Sequence, residues 1–165
     1  MNGIYLLLGS NIGDRQENLQ QAILNLRTKG VKDIRHSLVY TSAPWGITDQ
    51  DWFLNMVLEV TTVLKPEALL SACLAVEKNM GRERFRKWGP RTIDIDILYY
   101  GNQIINSDDL SLPHPGIPVR KFTLVPMNEL APKMKHPLLM RTQSQLLDEC
   151  TDELECKIAD ITLNI

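Results

Sequence analysis

Apolar residues run unbroken from Ile4 to Leu8 between Gly3 and Gly9, as in a strand covered on both faces. Asp14 then offers an N-cap with Glu17 three residues on, a capping-box-like pair. Leu19, Ile23 and Leu26 keep a helical spacing, and Gly30 is a suitable terminator. Val31 to Tyr40 reads as one strand with Ile34, Leu38 and Tyr40 on one parity, broken at Ser42-Ala43-Pro44-Trp45-Gly46. Phe53 to Val63, rich in Val, Thr and Leu, reads as the third strand. Pro66 suits the first turn of a second helix, which carries Leu69, Leu70, Cys73, Val76 and Met80 and ends at Gly81. Thr92 to Tyr100 reads as a fourth strand, with Ile93, Ile95, Ile97 and Tyr99 alternating against Asp94, Asp96 and Leu98.

Strand, helix, strand, strand, helix, strand is the ferredoxin-like split βαβ order, so the expected class is α+β with a β-α-β-β-α-β antiparallel core. The rest, Gln103 to Ile165, is punctuated by prolines and ends acidic. It holds helical candidates at Val119 to Leu130 and Thr142 to Leu147. We read it as a C-terminal extension of the same domain, so residues 1–165 form one domain.

Composition narrows the function classes. The chain has 165 residues, 44% hydrophobic and 23% charged, which excludes wholesale disorder and a disulfide scaffold. The formal net charge is −2, which argues against a sequence-blind nucleic-acid coat, because such binding needs a large positive excess. Cys73, Cys150 and Cys156 are odd in number and form no Cys-x-x-Cys pair, so a reducing compartment is expected. The N-terminal apolar run is too short for a signal peptide or a bilayer span. A cytoplasmic monomer, without nucleic-acid or membrane partners, is the expectation.

Asp94 and Asp96 are alternate residues of a strand, so they share a face with Cα atoms roughly 6.5–7 Å apart. The pair serves either as a solvated strand face or as hard oxygen ligands for Mg²⁺, which retains water and shares phosphate oxygens. Arg82, Arg84, Arg86, Lys87 and Arg91 lie just ahead of it, countered only by Glu83. Gly81, Gly89 and Pro90 bracket that run as a loop. Acidic ligands beside a guanidinium-rich loop favour a nucleoside-triphosphate site. Phe53 and Asn55 share a strand face: Phe53 reads either as ordinary core or as an aromatic plate, and Asn55 either as a turn or edge hydrogen-bonder or as an amide that converges with that plate on one flat heterocycle. Gly9-Ser10-Asn11-Ile12-Gly13 is not a phosphate loop, because no Lys-Ser/Thr follows Gly13; we read it as a tight turn.

Gly81-Arg82-Glu83-Arg84 and Trp88-Gly89-Pro90-Arg91-Thr92-Ile93-Asp94-Ile95-Asp96-Ile97-Leu98 together resemble the signature of the 6-hydroxymethyl-7,8-dihydropterin pyrophosphokinase family of folate biosynthesis. Leu8 to Asp14, Tyr40 to Gly46, Phe53 to Asn55, Pro113-His114-Pro115 with Arg120-Lys121-Phe122, and Pro126 to Pro132 resemble its other blocks, in the same order.

The resemblance implies transfer of the terminal diphosphate of ATP to the pterin hydroxymethyl group, with AMP released. It implies that Asp94 and Asp96 bind two Mg²⁺ ions, and that Arg84, Arg91, His114 and Arg120 hold the ATP phosphates. Arg82 and Arg91 would assist catalysis, Arg82 from a mobile loop on which Trp88 helps to exclude water. Backbone at Ile97 would meet adenine. Phe53 and Phe122 would sandwich the pterin, Asn55 would hydrogen-bond its edge, and backbone at Ser42 and Pro44 would add contacts. Glu77 either braces the arginine loop or is a surface charge, and Trp45 is a candidate pterin-side lid. Against the family pattern, Phe53 replaces a frequent Tyr, Leu74 a Gln and Asp109 a basic residue, and the arginine loop is one residue shorter than in some members. His36 and His136 belong to no motif. The rival readings are a two-metal nucleotidyltransferase, an RNA-binding ferredoxin-like module and a phosphate-sensing regulatory domain.

Overall fold

The computed structural model describes residues 2–46, 49–81 and 92–165. Arg82, Arg84, Trp88 and Arg91, with the rest of the basic run, lie outside the described residues.

Strand β1 (Ile4–Ser10) leads into α1 (Arg15–Thr28), β2 (Lys32–His36), β3 (Tyr40–Ser42), β4 (Phe53–Thr61), α2 (Pro66–Asn79) and β5 (Asp94–Tyr100). Asp14 caps α1, its carboxylate accepting the Glu17 amide at 3.0 Å. The Glu17 side chain does not return the bond; it accepts from Gln20 and Gln21 instead. Gly30 and Gly81, at φ +80° and +79°, end the two helices in the left-handed conformation that glycine adopts freely.

The strands pair antiparallel in the order β5-β1-β4, with β2 and β3 both on the far side of β4. This is the expected ferredoxin-like sheet, with two corrections. Val31 to Tyr40 is not one strand. It breaks at Ser37, whose Oγ accepts the Val57 amide at 2.9 Å and whose own amide donates to Val57 O. The break splits the expected parity: Ile34 and Leu38 are exposed while Tyr40, of the same parity, is buried, and Val31 and Val39 of the other parity are buried too. A second irregularity interrupts β5. The β1–β5 register shifts between Tyr5 and Leu6, so Tyr99 joins Leu98 on one face instead of following Ile97 on the other. A bulge of this kind adds one residue to a strand and re-aims the side chains beyond it.

Each face of the sheet carries its own core. Leu6, Leu8, Leu54, Met56, Ile95 and Ile97 pack against α1 and α2. Tyr5, Leu7, Val57, Leu98 and Tyr99 pack against the C-terminal half of the chain, which explains why β1 is apolar on both faces. That half contains a small hairpin, β6 (Ile105–Asn106) and β7 (Ser111–Leu112), then a 3₁₀ turn (Ile117–Val119), α3 (Lys121–Leu130), α4 (Gln143–Glu149) and an edge strand, β8 (Cys156–Ile158). Thr142 and Gln145 cap α4 with a reciprocal box. The helix expected from Val119 starts later. Arg120 is extended, at φ −125° and ψ 110°, and this turns its side chain toward the sheet. Strand β8 and the β6–β7 hairpin have no counterpart in the apolar pattern of the sequence.

Candidate active site

The register brings one row of residues across four strands: Tyr40 opposite Asn55, Asn55 opposite Gly9, and Gly9 opposite Asp94. Leu7 faces Asp96 one step along. Phe53 and Ser42 are opposed on the next step out. All these positions lie on the sheet face that α3 covers only in part, and the uncovered end is a cleft of about 520 Å³ with the solvent it opens onto. Phe53, Asn55 and Gly9 line its floor, Ala43 and Trp45 one wall, and Arg120 and Phe122 the other. Asp94 and Asp96 stand at its rim.

The floor is built to hold one amide in place. Asn55 is buried, and its Nδ2 donates to Ser42 Oγ. A Cβ on Gly9 would come within 2.8 Å of Asn55 Oδ1, so the absent side chain is what leaves room for the carboxamide. The turn that follows Gly9 is anchored by Asn11, whose Nδ2 donates to Gln50 Oε1 at 2.9 Å and to Asp51 O at 3.0 Å. Pro44 is buried between the two residues that form the wall.

On the opposite wall, the Arg120 guanidinium carbon lies 4.9 Å from the Trp45 ring centre and 5.8 Å from that of Phe122, within cation–π range. Arg120 Nε is buried and has no hydrogen-bond partner among the described residues. A buried donor without a partner costs about 1–3 kcal/mol. Gly116 makes this placement possible, because a Cβ there would lie 2.8–2.9 Å from three guanidinium atoms. Arg120, expected among the phosphate ligands, thus sits against the aromatic cleft in this structure.

A second cleft, about 1630 Å³ with the solvent it opens onto, runs off the β5 edge between α2 and the β6–β7 hairpin. Asp94, Asp96 and His114 border it, with Leu74, Ile97 and Asp109. The two aspartates are therefore shared between a narrow aromatic cleft and a wide polar one. Of the three positions that depart from the family pattern, Leu74 and Asp109 border this cleft and Phe53 lines the aromatic one.

His114 is oriented by its own loop. The Gly116 amide donates to His114 Nδ1 at 2.9 Å, which leaves the ring proton on Nε2, 3.9 Å from Asp96 Oδ1. Burial pushes the imidazole down to about 4, Arg120 adds to the fall, and Asp94 opposes it. The ring is neutral near pH 7, so its approach to Asp96 is not an ion pair.

Glu77 is only 4% exposed and is not a surface charge. Its Oε2 accepts the Ile95 amide at 2.8 Å, so α2 grips β5 midway between the two aspartates. His136 is structural: its Nδ1 accepts the Leu138 and Leu139 amides, and its ring meets Tyr99 edge-on.

Among the described residues no three His, Cys, Asp or Glu side chains converge on one point. A cation at the rim would take its protein ligands from Asp94 and Asp96 and its remaining ligands from water and phosphate. That is the donor set Mg²⁺ prefers, so the residues present fit it.

A profile of the family described as 7,8-dihydro-6-hydroxymethylpterin-pyrophosphokinase (HPPK) matches residues 5–132. The chain belongs to this family. It is 46% identical over 135 residues to the 2-amino-4-hydroxy-6-hydroxymethyldihydropteridine pyrophosphokinase of Methylorubrum extorquens, covering 81% of this chain and 85% of that protein. It is 39% identical over 161 residues to the protein of the same name from Aquifex aeolicus, covering 98% and 100%. A crystal structure of Plasmodium falciparum HPPK-DHPS superposes with a TM-score of 0.70 at 18% identity, over 88% of this chain and 44% of that one. That likeness concerns the fold alone. No helix among the described residues is long and apolar enough to cross a membrane.

Sequence reasoning did not find Gly9 or Gly116 as site residues. Their part is to leave space, and which side chain fills the space depends on contacts distant in the chain.

Proposed function

We propose that this chain transfers the terminal diphosphate of ATP to the hydroxymethyl group of 6-hydroxymethyl-7,8-dihydropterin, giving AMP and the dihydropterin diphosphate. The observation that carries the reading is the position of Asp94 and Asp96 on the rim common to both clefts. A phosphoryl group passing between a ligand in one cleft and a ligand in the other must cross that rim.

The aromatic cleft suits the pterin. Phe53 and Phe122 offer ring faces, and Asn55, fixed by Ser42, presents its amide edge to a heterocycle that both donates and accepts hydrogen bonds. The wide cleft suits ATP, with adenine near the Ile97 backbone and the phosphates toward His114. Asp94 and Asp96 would hold two Mg²⁺ ions, which when bound neutralise charge on the phosphate oxygens and align donor and acceptor. His114 donates its Nε2 proton to a phosphate oxygen, and it does so as a neutral ring. Arg120 stands at the pterin wall with its guanidinium over Trp45 and Phe122, and by resemblance to the family it would join the phosphate clamp. By resemblance to the family, Arg82, Arg84 and Arg91 complete the phosphate clamp and Trp88 helps to close it; all four lie outside the described residues. The transferring oxygens gain charge, and fixed cationic groups offset it without reorganising.

The deciding experiment is to incubate the protein with ATP, Mg²⁺ and the reduced pterin and to identify the nucleotide formed. AMP supports the proposal. ADP would make the protein an ordinary kinase, and free pyrophosphate would make it a nucleotidyltransferase.

A further inference from the structure

The match to the family ends at residue 132, yet the segment from Asp152 to Ala159 touches both walls of the aromatic cleft. On one wall, β8 pairs antiparallel with β3, Cys156 opposite Ser42 and Lys157 opposite Thr41. The ladder continues past the strand ends: Ala43 N donates to Glu155 O at 3.0 Å, and Ala159 N donates to Val39 O at 2.9 Å. That wall carries Ser42, Ala43 and Trp45.

On the other wall, Asp152 Oδ2 accepts the Lys121 amide at 3.0 Å, while its Oδ1 accepts Leu154 N at 2.9 Å. Lys121 opens α3, and its N–H is one of the first-turn donors that a helix cannot satisfy internally. The helix's own N-cap residue, Arg120, makes no side-chain cap. The cap comes instead from a carboxylate about thirty residues away in the chain, with the sign that a helix N-terminus favours. This first turn bears Phe122 and follows directly on Arg120.

Asp152 and Glu155 are three residues apart. Three residues reach at most ~11 Å when fully extended, so the two anchor points cannot separate while both bonds persist. The sheet fixes the floor of the cleft but not this separation. Glu129 ties the other end of α3 to the same strand region, accepting from Leu38 N at 3.0 Å and from Tyr40 Oη. Helix α3 is thus held at both ends.

We propose that residues 152–159 form a brace that sets the width of the aromatic cleft, with Asp152 as a positioning residue for the acceptor substrate. The inference rests on the reading of that cleft as the pterin site. Among the described residues, no strand pairing or hydrogen bond of the brace goes to a residue that borders only the wide cleft, so its loss weakens the acceptor and spares the nucleotide.

The test uses the full-length protein with Asp152→Ala, Asp152→Asn and Lys157→Pro. Asparagine keeps one acceptor oxygen for the two amides. Proline at 157 removes an amide proton from the pair facing Thr41, which the alternation of the ladder makes a hydrogen-bonded pair. Binding of 6-hydroxymethylpterin is followed by fluorescence and binding of a non-hydrolysable ATP analogue with Mg²⁺ by calorimetry. Asp152→Ala should weaken pterin binding about tenfold and leave the analogue within about twofold, with Asp152→Asn in between. Backbone amide exchange on the unliganded protein should quicken at Lys121 and Ala43 in Asp152→Ala. Unchanged exchange, unchanged pterin affinity, or equal weakening of both ligands overturns the brace. If wild-type protein bound no pterin although exchange quickened as expected, the acceptor reading would fail and the mechanical brace would stand. Should Lys157→Pro not fold, the Asp152 pair decides.

Discussion

His114 Nε2 faces Asp96 Oδ1 at 3.9 Å, and the proton it presents is dictated by the Gly116 amide bonded to Nδ1. The ring approaches the carboxylate without charge because burial holds its pKa at about 4. A protonated His114 would compete with a cation for Asp96. A neutral one leaves the carboxylate available and still offers a donor to phosphate.

That neutrality has a pH signature in the metal-free protein. The folded-state pKa of about 4 lies below the ordinary 6.5, so the unfolded chain takes up the proton first as pH falls. The associated stability is complete above 6.5 and is lost progressively toward 4, on the order of 3 kcal/mol in all. Burial shifts His136 in the same direction. Urea unfolding at pH 7 and pH 5 should show the loss, and His114→Gln should remove most of the slope. Asp33, held low by Arg27, adds its loss only below its ordinary 3.8 and does not obscure this window.

Asp96→Ala should leave the fold intact, since the side chain stands at a solvent-facing rim, and should lower kcat about a thousandfold or more. Steady-state turnover together with a circular-dichroism melt checks it. Near wild-type turnover would remove the aspartate pair from the chemistry.

Gly9→Ala should strike the acceptor. The new methyl meets Asn55 Oδ1 at 2.8 Å and Phe53 Cδ1 at 3.5 Å, and the carboxamide cannot yield without leaving Ser42. The expected cost is about 1–3 kcal/mol of stability, and misplacing the amide should raise the pterin KM about tenfold to a hundredfold. The KM for ATP should hold.

Glu77→Ala strands the Ile95 amide inside the protein, at about 1–3 kcal/mol. Because that amide sits between the two aspartates, kcat should fall with stability. Glu77→Gln keeps an acceptor for Ile95 and should recover most of both. Equal damage from the two variants would mean that the carboxylate charge, not the hydrogen bond to Ile95, is what matters.

Gly116→Ala separates stability from function. Its methyl would collide with the Arg120 guanidinium at 2.8–2.9 Å, but a side-chain tip can swing away. Stability should therefore change by less than about 0.5 kcal/mol, while Arg120 leaves Trp45 and kcat/KM for the pterin drops. An unchanged kcat/KM would show that Arg120 is not needed where it stands.

Much of the core was readable from periodicity. The two long helices and their caps follow from Asp14, Pro66, Gly30 and Gly81, and the placement of Asp94 and Asp96 on one face follows from a two-residue repeat. The break at Ser37 and the bulge in β5 were not readable. Each depends on which strand lies opposite: Ser37 bonds to Val57, and the β5 register slips against Tyr5 and Leu6. From the sequence Glu77 reads equally as a brace for the arginine loop or as a surface charge, because nothing in its own helix announces the Ile95 amide waiting across the gap.

The order of elements, the shared face of Asp94 with Asp96 and of Phe53 with Asn55, and the chemical types brought to the site were determined by the sequence alone, because backbone geometry repeats locally and side-chain direction follows it. Tertiary structure alone decided that those two pairs meet across Gly9, that the aspartates border two clefts at once, and that a carboxylate near the C-terminus caps the helix bearing Phe122. Such meetings depend on packing between segments far apart in the chain, and no local pattern carries that information.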